Sequence, residues 1–147
     1  MEIAALITVR ALLESELSWA NDRYREINFM PSQDHDFIAV AEVDGKCAGI
    51  GRLVAVDETN GELGGMYVFD EFRNQGIAGS IVTFLLEHSP YQQLFCIPFA
   101  HLEGFYGSFG FKPVTADIDV PCPVSGKVDW CRDEYPTPVA LLVRVAT

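Results

Sequence analysis

Arg73 opens the stretch of this chain best suited to chemistry. It is followed by Asn74-Gln75-Gly76-Ile77-Ala78-Gly79-Ser80, in which Gly76, Ala78 and Gly79 carry almost no side chain. A helix that starts there exposes N–H groups with no partner inside the helix, together with the positive end of its dipole. Small residues let a phosphate oxygen reach those amides, and Arg73 can add a charge-assisted contact. These residues point to binding of a phosphate or diphosphate. The other reading is a glycine-rich turn from strand to helix that holds no ligand. A nucleoside-triphosphate loop is excluded because no Gly-Lys-Ser/Thr is present. A dinucleotide loop is excluded because the strand before it belongs to a hairpin meander, not to a β-α-β unit.

The elements that must position this loop follow from periodicity. Residues 5–10 read as a short opening strand. Leu12 to about Ile27 reads as an amphipathic helix with Leu13, Leu17, Ala20 and Tyr24 on one face, ended by Pro31 and the polar Ser32 to Asp36. Phe37–Val43 is rich in β-branched residues and reads as a strand. Asp44-Gly45 is a two-residue turn, and Lys46 to Val56 returns as a second long strand. Asn60-Gly61 reads as another tight turn, and Glu62 to Val68 as the third strand of an antiparallel meander.

The period then changes. From Ile77 to His88 apolar residues recur at helical spacing, and Ser89-Pro90 stops that helix. Leu94 to Ile97 is a short strand, and His101 to Phe109 a short helix closed by Gly110. Phe111 to Val114 starts a strand, a helix follows at roughly 125–135, and Val139 to Val145 is a final buried strand. This order predicts an α+β (mixed α/β) fold rather than a doubly wound one. With no repeat or linker in 147 residues, one domain over 1–147 is expected.

Composition narrows the function classes. Almost half of the residues are apolar, which is globular rather than disordered. The formal net charge of −11 repels nucleic acid and favours approach of a cationic acceptor. The same field opposes an anionic cofactor, so a phosphate site must rest on backbone amides and one or two placed arginines. No apolar run approaches the roughly 20 residues of a membrane helix. The opening residues lack a basic stretch before a cleavage site, so no secretory leader is expected. Cys47, Cys96, Cys122 and Cys131 lie far apart without metal-ligand spacing. Reduced thiols, a cytoplasmic location and no metal are expected. A Cys122–Cys131 disulfide is the one pairing the spacing leaves open.

Arg73-Asn74-Gln75-Gly76-Ile77-Ala78 resembles the Arg/Gln-x-x-Gly-x-Gly/Ala signature of the GNAT superfamily of N-acetyltransferases. Gly65-Met66-Tyr67-Val68-Phe69-Asp70-Glu71-Phe72 is similar to that family's fourth strand and approach loop. Gly104-Phe105-Tyr106-Gly107-Ser108-Phe109-Gly110-Phe111 resembles its second signature, a helix with Phe/Leu-Tyr followed by Gly-Phe. Element order agrees along residues 5–145. The resemblance implies a GNAT-like fold, with a central, mostly antiparallel twisted sheet splayed between strands 4 and 5 and flanked by helices. It implies acetyl-CoA as cofactor and direct acetyl transfer to a primary amine of a small, cationic acceptor. A non-catalytic acyl-CoA-binding sensor of the same fold is the alternative.

Carried over position by position, the resemblance gives the backbone of Met66, Tyr67 and Val68 the role of pairing with the pantetheine amides. The pyrophosphate falls on Arg73, Asn74, Gln75, Gly76, Ile77, Ala78, Gly79 and Ser80. Tyr106 matches the general acid that protonates the coenzyme A thiolate; its other reading is an aromatic packed under the sheet. Glu62 matches a base found on the fourth strand of some histone acetyltransferases; its other reading is a solvated residue after a turn. Phe99 stands where many members carry an Asn that contacts the pantetheine arm. His101 is an alternative base or a packing residue, and Cys96 reads as core. Acceptor pockets in the family use the segments matching Trp19 to Gln33 and Pro121 to Pro138 here, with Tyr24, Asn28, Phe29, Trp130 and Tyr135 as candidate lining. The acidic residues around them suit a cation or are solvated surface. Many relatives pair through sheets or helices, so the resemblance admits a homodimer.

Overall fold

A computed structural model describes residues 6–146. Seven strands, β1 (Ile7–Ala11), β2 (Phe37–Val43), β3 (Lys46–Ala55), β4 (Asn60–Val68), β5 (Gln93–Cys96), β6 (Lys112–Pro113) and β7 (Leu142–Val145), hydrogen-bond in the order β1-β2-β3-β4-β5-β7-β6. Of the registers described, β1–β2, β2–β3, β5–β7 and β6–β7 are antiparallel. Only β4–β5 is parallel. The helices are α1 (Leu17–Glu26), α2 (Ile77–His88), α3 (Glu103–Gly107) and α4 (Cys122–Glu134). The mixed α+β fold read from the sequence is the observed one.

The chain divides into two compact units. One takes the chain up to Leu53 with Gly65–Ser89; the other takes Val54–Gly64 with the chain from Pro90 onward. Strand β4 passes from the second unit into the first.

In the first unit the pleat of β3 sends alternate residues to opposite faces. Ile50 packs with Ala20 and Tyr24 of α1 and with Ile38 and Val40 of β2. Its neighbours Gly49 and Gly51 turn to the other face, and opposite them in β2 stand Ala41 and Ala39. A Cβ on Gly51 would collide with the Met66 sulfur and with Ile81 of α2, and one on Gly49 would lie 2.9 Å from the Tyr67 carbonyl oxygen. The small residues thus let α2 settle against the sheet with Ile77, Ile81, Val82 and Leu85 buried. That seating fixes where the helix begins. It ends at extended Ser89, because Pro90 disfavours a helical residue before it.

In the second unit, Phe95 of β5, Val143 of β7 and Val124 of α4 form a buried cluster, ringed by Val56, Ile97, Val114, Ile118, Val120 and Leu141. Pro123 sits in the first turn of α4, where a missing N–H costs nothing. Buried Val124, Val128 and Cys131 recur at helical spacing.

Several sequence expectations need correction. Asn60-Gly61 is not a turn but the start of β4. The reversal lies one step earlier, where the Asp57 carboxylate accepts the backbone N–H of Thr59 and of Asn60, both at 2.9 Å. Gly61 is small because the Tyr91 ring packs where a Cβ would stand. The helix expected from Leu12 begins as a 3-10 turn at Glu14–Glu16, and Leu13 is exposed rather than on the buried face. The helix expected over His101–Phe109 is a 3-10 turn at Ala100–Leu102 followed by the short α3. The last strand forms only from Leu142, since Val139 makes an isolated bridge to Phe99. The opening strand is Ile7–Ala11; position 5 lies outside the described residues. All four cysteines are free. Cys122 and Cys131 lie nine positions apart on one helix, about 13 Å of rise against the roughly 7 Å a disulfide spans.

Candidate functional site

The loop from β4 to α2 is built to leave a helix start uncovered. Phe69 leads into a 3-10 turn at Asp70–Phe72, Arg73 is extended, and Asn74 and Gly76 take left-handed conformations with φ of 65° and 79°. Gly76 is the N-cap and offers no side chain to the first turn, which also lacks any acidic residue. The first bond back into the helix is Ser80 N–H to the Gly76 carbonyl at 3.2 Å. The N–H groups of Ile77, Ala78 and Gly79 therefore precede the internal ladder. Most helices satisfy such groups with Ser, Thr, Asp or Asn; this one presents them beside an exposed glycine with open space where its Cβ would be. Arg73 is exposed and pairs with exposed Asp70 at 3.0 Å, an i, i+3 contact that an anion can replace. Ile77 is buried and anchors the loop. This donor set suits a diphosphate on chemistry and on shape.

Upstream in the same unit, Gly65 takes a left-handed φ of 59° within β4. Its carbonyl accepts the Tyr24 hydroxyl at 2.8 Å. A Cβ there would lie 2.7 Å from the Tyr24 oxygen and 2.8 Å from Nε of Arg52. Met66, Tyr67 and Val68 follow, all half-buried. Tyr67 donates its hydroxyl to Glu26 at 3.1 Å and meets the Phe69 ring edge-on. Burial, then the bond to Glu26, raise its pKa. Within the second unit the β4–β5 ladder ends at Glu62↔Phe95, although β4 runs on to Val68.

The second unit gathers a different set of groups. Glu62 is buried on β4, and Lys127 Nζ of α4 donates to its Oε1 at 2.6 Å. Tyr106 on α3 is 4% exposed, with the Phe105 and Phe111 rings edge-on to it. Burial pushes its pKa far above the ordinary phenol value, with a smaller push from Cys96. Cys96 is fully enclosed on β5. Burial pushes its thiol up strongly, Glu62 adds to the rise and Lys127 opposes it. Cys96 is thus a protonated core thiol without nucleophilic character. His101 stacks parallel to Phe99 at 6.3 Å, and Tyr135 meets both Phe99 and Trp130 edge-on at 5.5 Å.

Residues 34–113 match the family model described as an acetyltransferase (GNAT) domain, more than half of the chain. The chain belongs to the GNAT acetyltransferase family. Its chemistry is accordingly acyl transfer. Solved structures share the GNAT fold at low identity. A Mycobacterium tuberculosis protein in complex with CoA and a second ligand aligns with a TM-score of 0.72 and 19% identity, over 95% of this chain and 99% of that one. An Elizabethkingia anophelis GNAT acetyltransferase with acetyl-CoA bound aligns with a TM-score of 0.64 and 19% identity, over 95% and 98%. N-acetylglutamate synthase from Neisseria gonorrhoeae, complexed with coenzyme A and N-acetyl-glutamate, aligns at 0.70 and 15%, over 97% of this chain but 36% of its own. Comparison with curated protein sequences finds no match.

Among the acceptor candidates of this GNAT chain, Tyr24 is wholly buried, with the Arg52 guanidinium 4.4 Å over its ring and Phe29 stacked at 6.3 Å. Asn28 is exposed with φ of 57°, and Phe29 is half-buried. Arg52 holds the segment after α1 by donating to the Met30 carbonyl at 2.9 Å and the Ser32 hydroxyl at 2.6 Å. Trp130 is half-buried. Among the described residues no His/Cys/Asp/Glu cluster fits a metal ion, and no helix is long and apolar enough to cross a membrane.

Sequence reasoning missed Arg52 and Lys127. A lone arginine inside the apolar strand Ile50-Gly51-Arg52-Leu53-Val54 was a usable signal, since a buried charge needs partners. Lys127 gave none, because its partner lies 65 positions away.

Proposed function

We propose that the chain is an acetyl-CoA-dependent N-acetyltransferase that moves the acetyl group directly to a primary amine of a small, cationic acceptor. The observation that carries this reading is the start of α2, exposed, uncapped by any side chain and free of acidic residues. Acetyl-CoA supplies a thioester whose carbonyl carbon is the electrophile. Arg73 and the backbone from Asn74 to Ser80 hold its diphosphate, Arg73 exchanging Asp70 for the ligand. Met66, Tyr67 and Val68 pair their backbone with the pantetheine amides as an added strand would.

Glu62 takes the proton that an ammonium must lose before it attacks. Its place on β4 supports the role, buried and already bonded to an amine, Lys127 Nζ, at 2.6 Å. Tyr106 gives its proton to the departing thiolate, and its raised pKa keeps it protonated throughout the neutral range. Phe99 leaves the pantetheine arm without the usual side-chain amide, so backbone groups serve there. Asn28 and Phe29 of the first unit, the latter stacked on buried Tyr24, and separately Trp130 of the second unit are the residues assigned to the acceptor. Asp129, Asp133 and Glu134 favour a positive charge. Buried, free Cys96 and Cys131 suit a reducing, cytoplasmic setting.

A panel of amines with acetyl-CoA, read by release of free thiol, tests the reading. Turnover of at least one cationic amine is expected, together with thermal stabilisation by coenzyme A. Absence of both would overturn it.

A further inference from the structure

We propose that Lys127 is itself an acetyl acceptor, a self-modification site at which its ε-amine takes the place of the external amine. The proposal rests on the roles given above to Glu62 and Tyr106. The chain has three lysines. Lys46 at the β2–β3 turn and Lys112 on β6 are exposed, whereas Lys127 is half-buried. Among the described ion pairs, only Lys127 of the three pairs with a carboxylate, and that carboxylate is Glu62. Glu62 has 7% of its side chain exposed and Lys127 26%. The residue assigned to deprotonate an amine therefore already holds one, at 2.6 Å and largely away from water. Tyr106 of α3 belongs to the same compact unit as this pair. Base, amine and acid are thus supplied by one chain.

The step balances without any oxidant or further reactant. Glu62 takes one proton from the Lys127 ammonium. The freed lone pair forms the Nζ–C bond to the thioester carbonyl carbon, and the C–S bond breaks with its electrons on sulfur. Tyr106 protonates that sulfur and recovers the second proton lost from Nζ as the amide forms. Glu62 returns its proton to solvent. The products are an acetylated Lys127 and free coenzyme A thiol. The amide carries no charge, so the modification also removes the cation that occupies Glu62.

The purified chain is incubated with acetyl-CoA alone and its lysines are mapped by peptide mass spectrometry over time. A parallel incubation with acetic anhydride sets the reactivity of each lysine without catalysis. Anhydride is expected to favour exposed Lys46 and Lys112. Acetyl-CoA is expected to reverse that order, with Lys127 modified about ten-fold faster than either, because its amine is already placed against the base. Lys127→Arg keeps a cation on Glu62, so its thermal midpoint should match the parent while its acetylation is lost. Glu62→Gln should slow Lys127 acetylation and leave the other two unchanged. Lys127 modified no faster than Lys46 and Lys112 overturns the proposal. If an external amine is then still acetylated, only this inference falls; if no amine is acetylated at all, the proposed function falls with it.

Discussion

The Tyr24 hydroxyl donates to the carbonyl of Gly65 at 2.8 Å, joining α1 to the one position where β4 turns left-handed. A backbone carbonyl packed against the core needs a donor, and the Tyr24 hydroxyl supplies it just before Met66. Gly65→Ala should therefore be costly on two counts. It forces an L side chain into a left-handed conformation, and it drives a methyl into buried Tyr24 and Arg52. A loss of about 3 kcal/mol is expected. Tyr24→Phe removes only the bond and should cost about 1 kcal/mol. Denaturant unfolding of the two variants checks the ranking.

The start of α2 makes a separate prediction about affinity. Arg73→Ala removes one exposed charge without disturbing the helix. It should weaken coenzyme A binding about ten-fold, and the loss should shrink as salt rises. Gly76→Ala meets open space but keeps φ of 79°, so it should destabilise by about 1 kcal/mol. Calorimetric titration at two ionic strengths, with thermal melts, separates the two effects.

Tyr106→Phe should lower kcat by roughly a hundred-fold with coenzyme A affinity unchanged, since in the role proposed for it the phenol acts only as the thiolate departs. It should also alter the alkaline limb of the stability curve. Tyr24 and Tyr106 both have pKa values raised by burial. The unfolded chain therefore releases these two protons first, near the ordinary value of about 10, while the folded chain keeps them. Above that pH the unfolded state binds fewer protons, so stability must fall as pH rises. Melting points taken through that range should fall less steeply in Tyr106→Phe than in the parent chain. Equal slopes would show that Tyr106 ionises freely in the folded state.

The Glu62–Lys127 pair should show coupling in a double-mutant cycle. Glu62 is enclosed and Lys127 about a quarter exposed, so removing either alone leaves a partly desolvated charge. A coupling of about 1–2 kcal/mol is expected, below that of a fully buried pair. A coupling near zero would mark a flexible surface contact.

Much of the molecule was legible from local signals. The alternation of Phe37–Val43, the Asp44-Gly45 turn and the helical spacing of Ile77–His88 each encode a single element through neighbouring residues, and each formed with the boundaries read. The loop Arg73–Ser80 was legible for the same reason, because glycine conformation and a helix start are properties of a few consecutive residues. Asn60-Gly61 misled because two residues that favour a turn also tolerate a strand; the Asp57 carboxylate, three positions earlier, captured the reversal. Leu13 misled because the helix begins later than its periodicity suggests.

The sequence by itself determined the element order, the phosphate-suited loop and the family, since these depend on short-range pattern. Only the tertiary structure decided what each polar side chain faces. Arg52 went to Met30 and Ser32, Tyr24 to Gly65, and Glu62 to Lys127, pairings between residues far apart in the chain. Burial, by removing water as the competing partner, is what makes such pairings specific.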